Sequence, residues 1–280
     1  MLKATGLTEG HYECRSFDET IPILMDTLAL EVVRSTEDER VLKHPNTDWE
    51  LVLHEGRRDA PNKPLRNHYG VRVATNEEVD CACEYLESKK EALRIKVIKP
   101  RENHNAYSVH FFEPGGNFWE IESYEKAVES HMGKTTNPHW TSPLPGEKFS
   151  GKGYIPQAFT HGTLENEDLE GSEHFYREVL GLDVIKLWPS SCYVKHPSTP
   201  WYVVCIQAQS RSRQRLTRYQ RFTLALESPD AVRAAHKTFA AHRQEWKINE
   251  LDPIKETSDQ IFFLFSDLNT NWWEITNSIK

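Results

Sequence analysis

No apolar run in this chain approaches the ~20 residues that a membrane-crossing helix requires, so a membrane-spanning protein is not expected. No apolar segment follows the N-terminal residues in the manner of a secretory signal, and a cytoplasmic location is expected. Basic residues are not in excess. The 34 Lys and Arg face 42 Asp and Glu, for a net charge of −8, which argues against general affinity for nucleic acid or anionic membrane surfaces. Cysteine is scarce and odd in number: Cys14, Cys81, Cys83, Cys192 and Cys205. Only Cys81 and Cys83 are close, in a C-x-C too tight for the usual zinc knuckle, so reduced structural thiols are expected. The chain has no glycine-rich phosphate loop, no serine nucleophile elbow and no HExxH helix, which sets aside three familiar routes to catalysis.

What the chain does contain is itself, twice. KHPNTDWELVL (43–53) recurs as KHPSTPWYVVC (195–205), and LALEVV (28–33) as LGLDVI (180–185). The segment from 71 to 86 answers that from 224 to 239, Glu120 answers Glu274, and His11 answers His161, all at offsets of 150 to 154 residues. Five matches in order at nearly constant spacing indicate an internal duplication. The copies run over 1–127 and 153–280, and the Pro-, Gly- and Ser-rich stretch between them, 128–152, reads as a linker. Trp49, Trp119, Trp201 and Trp273 fall in repeat-matched pairs, as core residues of a repeated fold should.

Each copy is two-fold again. In the first, GHYECRS reads as a strand, FDETIPILMDTL as a helix, and LALEVVRS, RVLKHP and DWELVLHE as further strands. NHYGVRVAT then opens a second round, followed by the helix NEEVDCACEYLESKKEAL and the strands IKVIKP, AYSVHFFE and NFWEIES. Four β-α-β-β-β units, two per copy, fill the chain, an α+β architecture of curved mixed sheets.

FYREVLGLDVI (175–185) and FFEPGGNFWEIE (111–122) resemble the signatures of the vicinal oxygen chelate superfamily, which includes glyoxalase I, bleomycin-resistance proteins and type I extradiol dioxygenases. The resemblance covers nearly the whole chain and implies two tandem domains of that fold. It also implies a metal held by a His on the first strand, a His on the fifth and a Glu on the eighth, which here are His11, His68 and Glu120. Two imidazoles and one carboxylate leave coordination positions open for substrate and O₂. A site that mixes strands of both copies, for example His11 with Glu274, is the other arrangement. Extradiol enzymes place a Tyr ten residues before the ligand Glu, and His110 stands there. They usually carry a catalytic His on the fourth strand, where Asp48 and Trp49 stand instead; His104 and Tyr107 are candidates to replace it.

The second copy departs from this pattern. Arg221 falls opposite His68, and a guanidinium repels a metal cation. The turn EPGGN has become DLNTN. The C-terminal copy is therefore expected to be a degenerate domain without metal. The implied activity is an Fe(II)-dependent extradiol-type dioxygenase acting on a catechol-like substrate with O₂. The alternatives are a non-oxidative lyase or isomerase using Mn, Zn or Ni, and a metal-free binding protein. Homo-oligomerisation is left open.

Overall fold

The structure, a computed structural model, describes residues 1–56, 67–103, 106–125, 146–208 and 216–278. Four β-α-β-β-β units follow one another. The first is β1 (Gly6–Cys14), α1 (Phe17–Thr27), β2 (Glu31–Ser35), β3 (Glu39–Lys43) and β4 (Glu50–Glu55). The second is β5 (His68–Arg72), α2 (Asn76–Leu93), β6 (Lys96–Asn103), β7 (Ala106–Phe112) and β8 (Phe118–Ser123). The third holds β9 (Ala158–Asn166), α3 (Leu169–His174) with a π-helical turn at Phe175–Val179, β10 (Asp183–Trp188), β11 (Ser191–Lys195) and β12 (Tyr202–Gln207). The fourth holds β13 (Arg221–Ala225), α4 (Pro229–Ala241), the two-residue strands β14 (Glu250–Leu251) and β15 (Lys255–Glu256), β16 (Gln260–Ser266) and β17 (Trp272–Ser278). The strands form two mixed sheets, in which β5 with β8 and β13 with β17 are parallel pairs. This is the α+β architecture of β-α-β-β-β units in curved mixed sheets expected from the sequence. No helix among the described residues is long and apolar enough to cross a membrane.

Helix α2 shows how locally these elements are specified. Thr75, one residue before the expected Asn start, accepts from the Glu78 N–H, and the Glu78 side chain returns a bond to the Thr75 N–H. That reciprocal pair satisfies two backbone donors at the helix start. Arg94 ends the helix in the left-handed region.

The compact units do not coincide with the repeats. One is the continuous segment Glu13–Thr163; the other combines Met1–Tyr12 with Leu164–Lys280. The physical reason is an exchange of neighbours by the first strands: β1 keeps its place beside β4 but borders β13, and β9 keeps its place beside β12 but borders β5. In the continuous unit, β5 pairs antiparallel with the start of β9, through Gly70 with His161 and Tyr69 with Gly162. In the split unit, β13 pairs antiparallel with β1, through Leu224 with Leu7 and Phe222 with Gly10. Each exchanged strand covers an edge that would otherwise present unpaired backbone groups. The stretch expected as a linker is partly structured. Residues 126–145 lie outside the described residues, but Gly146–Phe149 forms a 3₁₀ turn. Phe149 and Tyr154 are buried, and the Tyr154 hydroxyl donates to the Thr27 carbonyl at 3.0 Å.

The repeated KHP motif secures the exchange. In the continuous unit, His44 Nδ1 accepts from the Asn46 N–H at 3.1 Å, and its Nε2–H donates to the Pro156 carbonyl at 3.2 Å, just ahead of β9. In the split unit, His196 Nδ1 accepts from the Ser198 N–H at 3.1 Å, and Nε2–H donates to the Ala4 carbonyl at 3.0 Å, just ahead of β1. His44 works as a neutral imidazole, because a proton on its Nδ1 would face the Asn46 N–H. Burial pushes His44 down to about 4, against the pull of the Pro156 carbonyl. As pH falls below the ordinary value of 6.5, the unfolded chain takes up a proton that native His44 refuses. Stability from this residue is therefore full above about pH 6.5 and is lost toward pH 4, at up to ~1.4 kcal/mol per pH unit. Urea unfolding of wild type and His44→Gln at intervals from pH 7 to pH 4 should show the steeper loss in wild type; equal slopes would acquit His44.

Candidate metal centre

Three strands of the continuous unit converge at Gly70. In the parallel pair of β5 with β8, Gly70 lies beside Glu120; in the antiparallel pair of β5 with β9, it lies beside His161. His68 is two residues earlier on β5 and so faces the same side. On β7, His110 lies directly across from Glu120. All four side chains are buried.

Their polar atoms meet at the Glu120 carboxylate. His68 Nε2 is 2.9 Å and His161 Nε2 3.0 Å from Oε2, and His110 Nε2 is 3.2 Å from Oε1. The far nitrogens of the first two rings are also engaged. His161 Nδ1 is 3.1 Å from Thr160 Oγ1 and 3.2 Å from Glu122 Oε1. His68 Nδ1 is 3.4 Å from Thr163 Oγ1, which also accepts the His68 backbone N–H at 2.7 Å. The His110 ring is stacked on Phe118, with centroids 4.9 Å apart.

Electrostatics require positive charge at this point. Burial works against the ionised Glu120, yet the surrounding imidazoles, His110 foremost, hold its carboxyl well below the usual range. Burial likewise opposes a charged His161, but Glu122 and Glu120 push it up to about 9. Burial dominates at His68, which is lowered despite its contact with Glu120.

A divalent cation fits the same atoms. Ligand bonds of about 2.1 Å at right angles put neighbouring donors about 3 Å apart, and the two Nε2–Oε2 separations are 2.9 and 3.0 Å. The Nε2 atoms of His68 and His161 and a Glu120 oxygen all lie within 4.8 Å of one another.

The structure separates His11 from His68 and Glu120. Because β1 is exchanged, the place beside β5 belongs to β9, which brings His161, the repeat counterpart of His11. His11 lies in the split unit, where Glu9, His11 and Glu274 form a second cluster. His11 Nε2 is 2.9 Å from Thr223 Oγ1 and 3.4 Å from Glu9 Oε2. Burial and the Arg221 charge hold its imidazole well below the ordinary value. Arg221 donates to Glu274 Oε2 through Nε at 2.8 Å and Nη2 at 2.7 Å. Here a guanidinium lies on the carboxylate that corresponds to Glu120, as the mismatch of Arg221 with His68 suggests.

The other sequence candidates divide. His110 joins the cluster. Tyr107, three residues away on β7, donates to Asp80 Oδ1 at 2.7 Å, and that bond pushes its hydroxyl up to about 12. It is engaged with α2 rather than with Glu120. Asp48 is an exposed partner of Lys43, at 2.7 Å, and takes no part in the cluster. His104 lies outside the described residues. The sequence placed His11, not His161, with His68 and Glu120; the match of His161 to His11 was the available signal, and the pairing of β9 with β5 is what gives that match its meaning.

Residues 12–121 match the sequence model of the Glyoxalase/Bleomycin resistance protein/Dioxygenase superfamily. No curated protein matches the chain by sequence. Among solved structures, glyoxalase I from Zea mays is similar with a TM-score of 0.69 and 14% identity, over 98% of this chain and 92% of that one. A Bacillus subtilis protein provisionally described as a dioxygenase is similar with a TM-score of 0.65 and 12% identity, over 100% of this chain and 87% of that one. At such identities the likeness is one of fold.

The Arg221–Glu274 pair generates a stability prediction. Removing one partner leaves a buried charge uncompensated, at a cost of ~3–5 kcal/mol. Arg221→Met should lose about that much in denaturant unfolding, and the double variant Arg221→Met/Glu274→Gln should recover most of it. A single variant as stable as wild type would show that the pair is not the cluster's source of charge balance.

Proposed function

We propose that this chain, a member of the glyoxalase/bleomycin resistance protein/dioxygenase superfamily, is a divalent-metal enzyme acting on a small molecule that presents two adjacent oxygens. The observation that carries the reading is the convergence of His68 Nε2, His161 Nε2 and Glu120 Oε2 from three strands. These two imidazoles and one carboxylate would hold a divalent cation, with positions left for a bidentate ligand. When bound, the ion supplies Lewis acidity and, as Fe(II), reactivity toward O₂.

The chain's own groups do the rest. Buried Phe118 and His110 exclude water beside the carboxylate. Among the described residues His110 Nδ1 is buried without a hydrogen-bond partner, so the ring has a nitrogen to spare for exchanging a proton with a substrate hydroxyl. The reading we favour is ring cleavage of a catechol-like aromatic compound by O₂. A second reading, a non-oxidative lyase or isomerase with Mn, Zn or Ni, is favoured by His110 Nε2, which faces the same carboxylate and could serve as a fourth protein donor.

Elemental analysis of protein prepared without oxygen, followed by oxygen-electrode measurements with catechols, tests the choice. Iron with O₂ uptake is expected. Another metal without O₂ uptake would select the second reading, and no stoichiometric metal would overturn both. His68→Ala and His161→Ala should each remove most of the metal, whereas His11→Ala should retain it; metal loss from the His11 variant alone would refute the ligand set. His110→Phe should keep the metal and lower turnover by ~10²–10⁴, and near-normal turnover would exclude it as the proton-transfer group.

A further inference from the structure

His161 sits in a socket that extends beyond the proposed ligands. On one side is Gly70. A Cβ at that position would lie 2.2 Å from His161 Cε1, 2.8 Å from Nε2 and 3.0 Å from Nδ1. These distances are far inside van der Waals contact, so any side chain at position 70 would displace the imidazole. On the other side is Glu122. Its Oε1 receives Arg72 Nη2 at 2.7 Å and Arg72 Nε at 3.2 Å, Thr160 Oγ1 at 3.4 Å and His161 Nδ1 at 3.2 Å. Arg72 in turn lies over the Tyr124 ring, 4.2 Å from its centroid. Arg72, Glu122 and His161 are each no more than 2% exposed.

We infer that Gly70 and the Arg72–Glu122 pair are positioning residues that make His161 a fixed Nε2 ligand. Glu122 accepts a hydrogen bond from Nδ1–H, which leaves the lone pair of Nε2 directed at the point where Glu120 and His68 meet. Arg72 neutralises Glu122 in the interior, so the carboxylate orients the ring without becoming a competing ligand. Gly70 provides the volume in which the ring lies flat against β5. A buried carboxylate behind a metal-bound imidazole fixes its tautomer and raises its basicity, and such partners typically contribute 10–100-fold in metal affinity.

The inference rests on the reading of His68, Glu120 and His161 as metal ligands, and the test keeps the two apart. Zn²⁺ affinity of the full-length protein is measured by competition with a chromophoric chelator, and the tautomer of His161 by ¹⁵N-histidine NMR of the metal-free protein above its pKa of about 9, where the ring is neutral. Glu122→Gln alone leaves Arg72 buried and unpaired and can unfold the chain, so the double variant Arg72→Met/Glu122→Gln is included. The expected results are a 10–100-fold weaker Zn²⁺ affinity in the folded double variant, at least as large a loss in Gly70→Ala, and a protonated His161 Nδ1 in wild type. Unchanged Zn²⁺ affinity in the folded double variant would overturn the positioning role. If wild type takes up no Zn²⁺, the ligand reading fails, and the NMR measurement decides the socket alone: a bare Nδ1 would overturn it, and a protonated Nδ1 that loses its shift in the double variant would uphold it.

Discussion

A carboxylate buried among imidazoles needs a positive charge, and this requirement organises the proposed centre. Glu120 is buried, so its partners must supply what solvent would. Two buried carboxylates, Glu120 and Glu122, lie on alternate positions of one strand. Arg72 answers the second, and the first is left for a proton or a metal. The surrounding backbone serves that arrangement. The parallel pairing of β5 with β8 aligns Arg72 with Glu122 and Gly70 with Glu120, so one register sets both the ion pair and the open space.

The split unit solves the same problem differently. The parallel pair β13 with β17 repeats the β5 with β8 geometry, and Thr223 stands beside Glu274 as Gly70 stands beside Glu120. Arg221 provides a covalently attached cation where the other unit has His68. The two clusters show one scaffold satisfying a buried glutamate once with an internal charge and once with donors that invite an external one.

Much of this was legible in the sequence. The duplication, the four β-α-β-β-β units and the repeated tryptophans follow from patterns that local rules and nearest-neighbour packing impose. His68 and Glu120 were legible because they belong to one unit and one resemblance. His161 was not, because strand pairing is decided by which edge a strand covers, and nothing within GHYECRS or AFTHGTLEN states that choice. The misplacement of His11 follows from that one ambiguity. Tyr107 and Asp48 failed for a simpler reason: strand alternation and a surface lysine direct them elsewhere, and a family position says nothing about either. The KHP motif was visible as a repeat, but its meaning as a latch on the exchanged strand required knowing where Pro156 and Ala4 lie.

The exchange of first strands makes the chain parenthetical: one unit is written inside the other. During synthesis β1 leaves the ribosome first, but the hydrogen bond between Thr5 and the Ala225 carbonyl joins residues 220 positions apart. The enclosed unit, Glu13–Thr163, is complete as soon as β9 has emerged and can condense on its own contacts. The enclosing unit must wait for nearly the whole chain, with the slow closure that such distant pairing entails. Throughout that interval β1 lacks its β13 partner. Glu9, His11 and Glu13 fall on alternate positions of the strand, and charges at such positions keep a waiting edge from pairing with a neighbouring nascent chain.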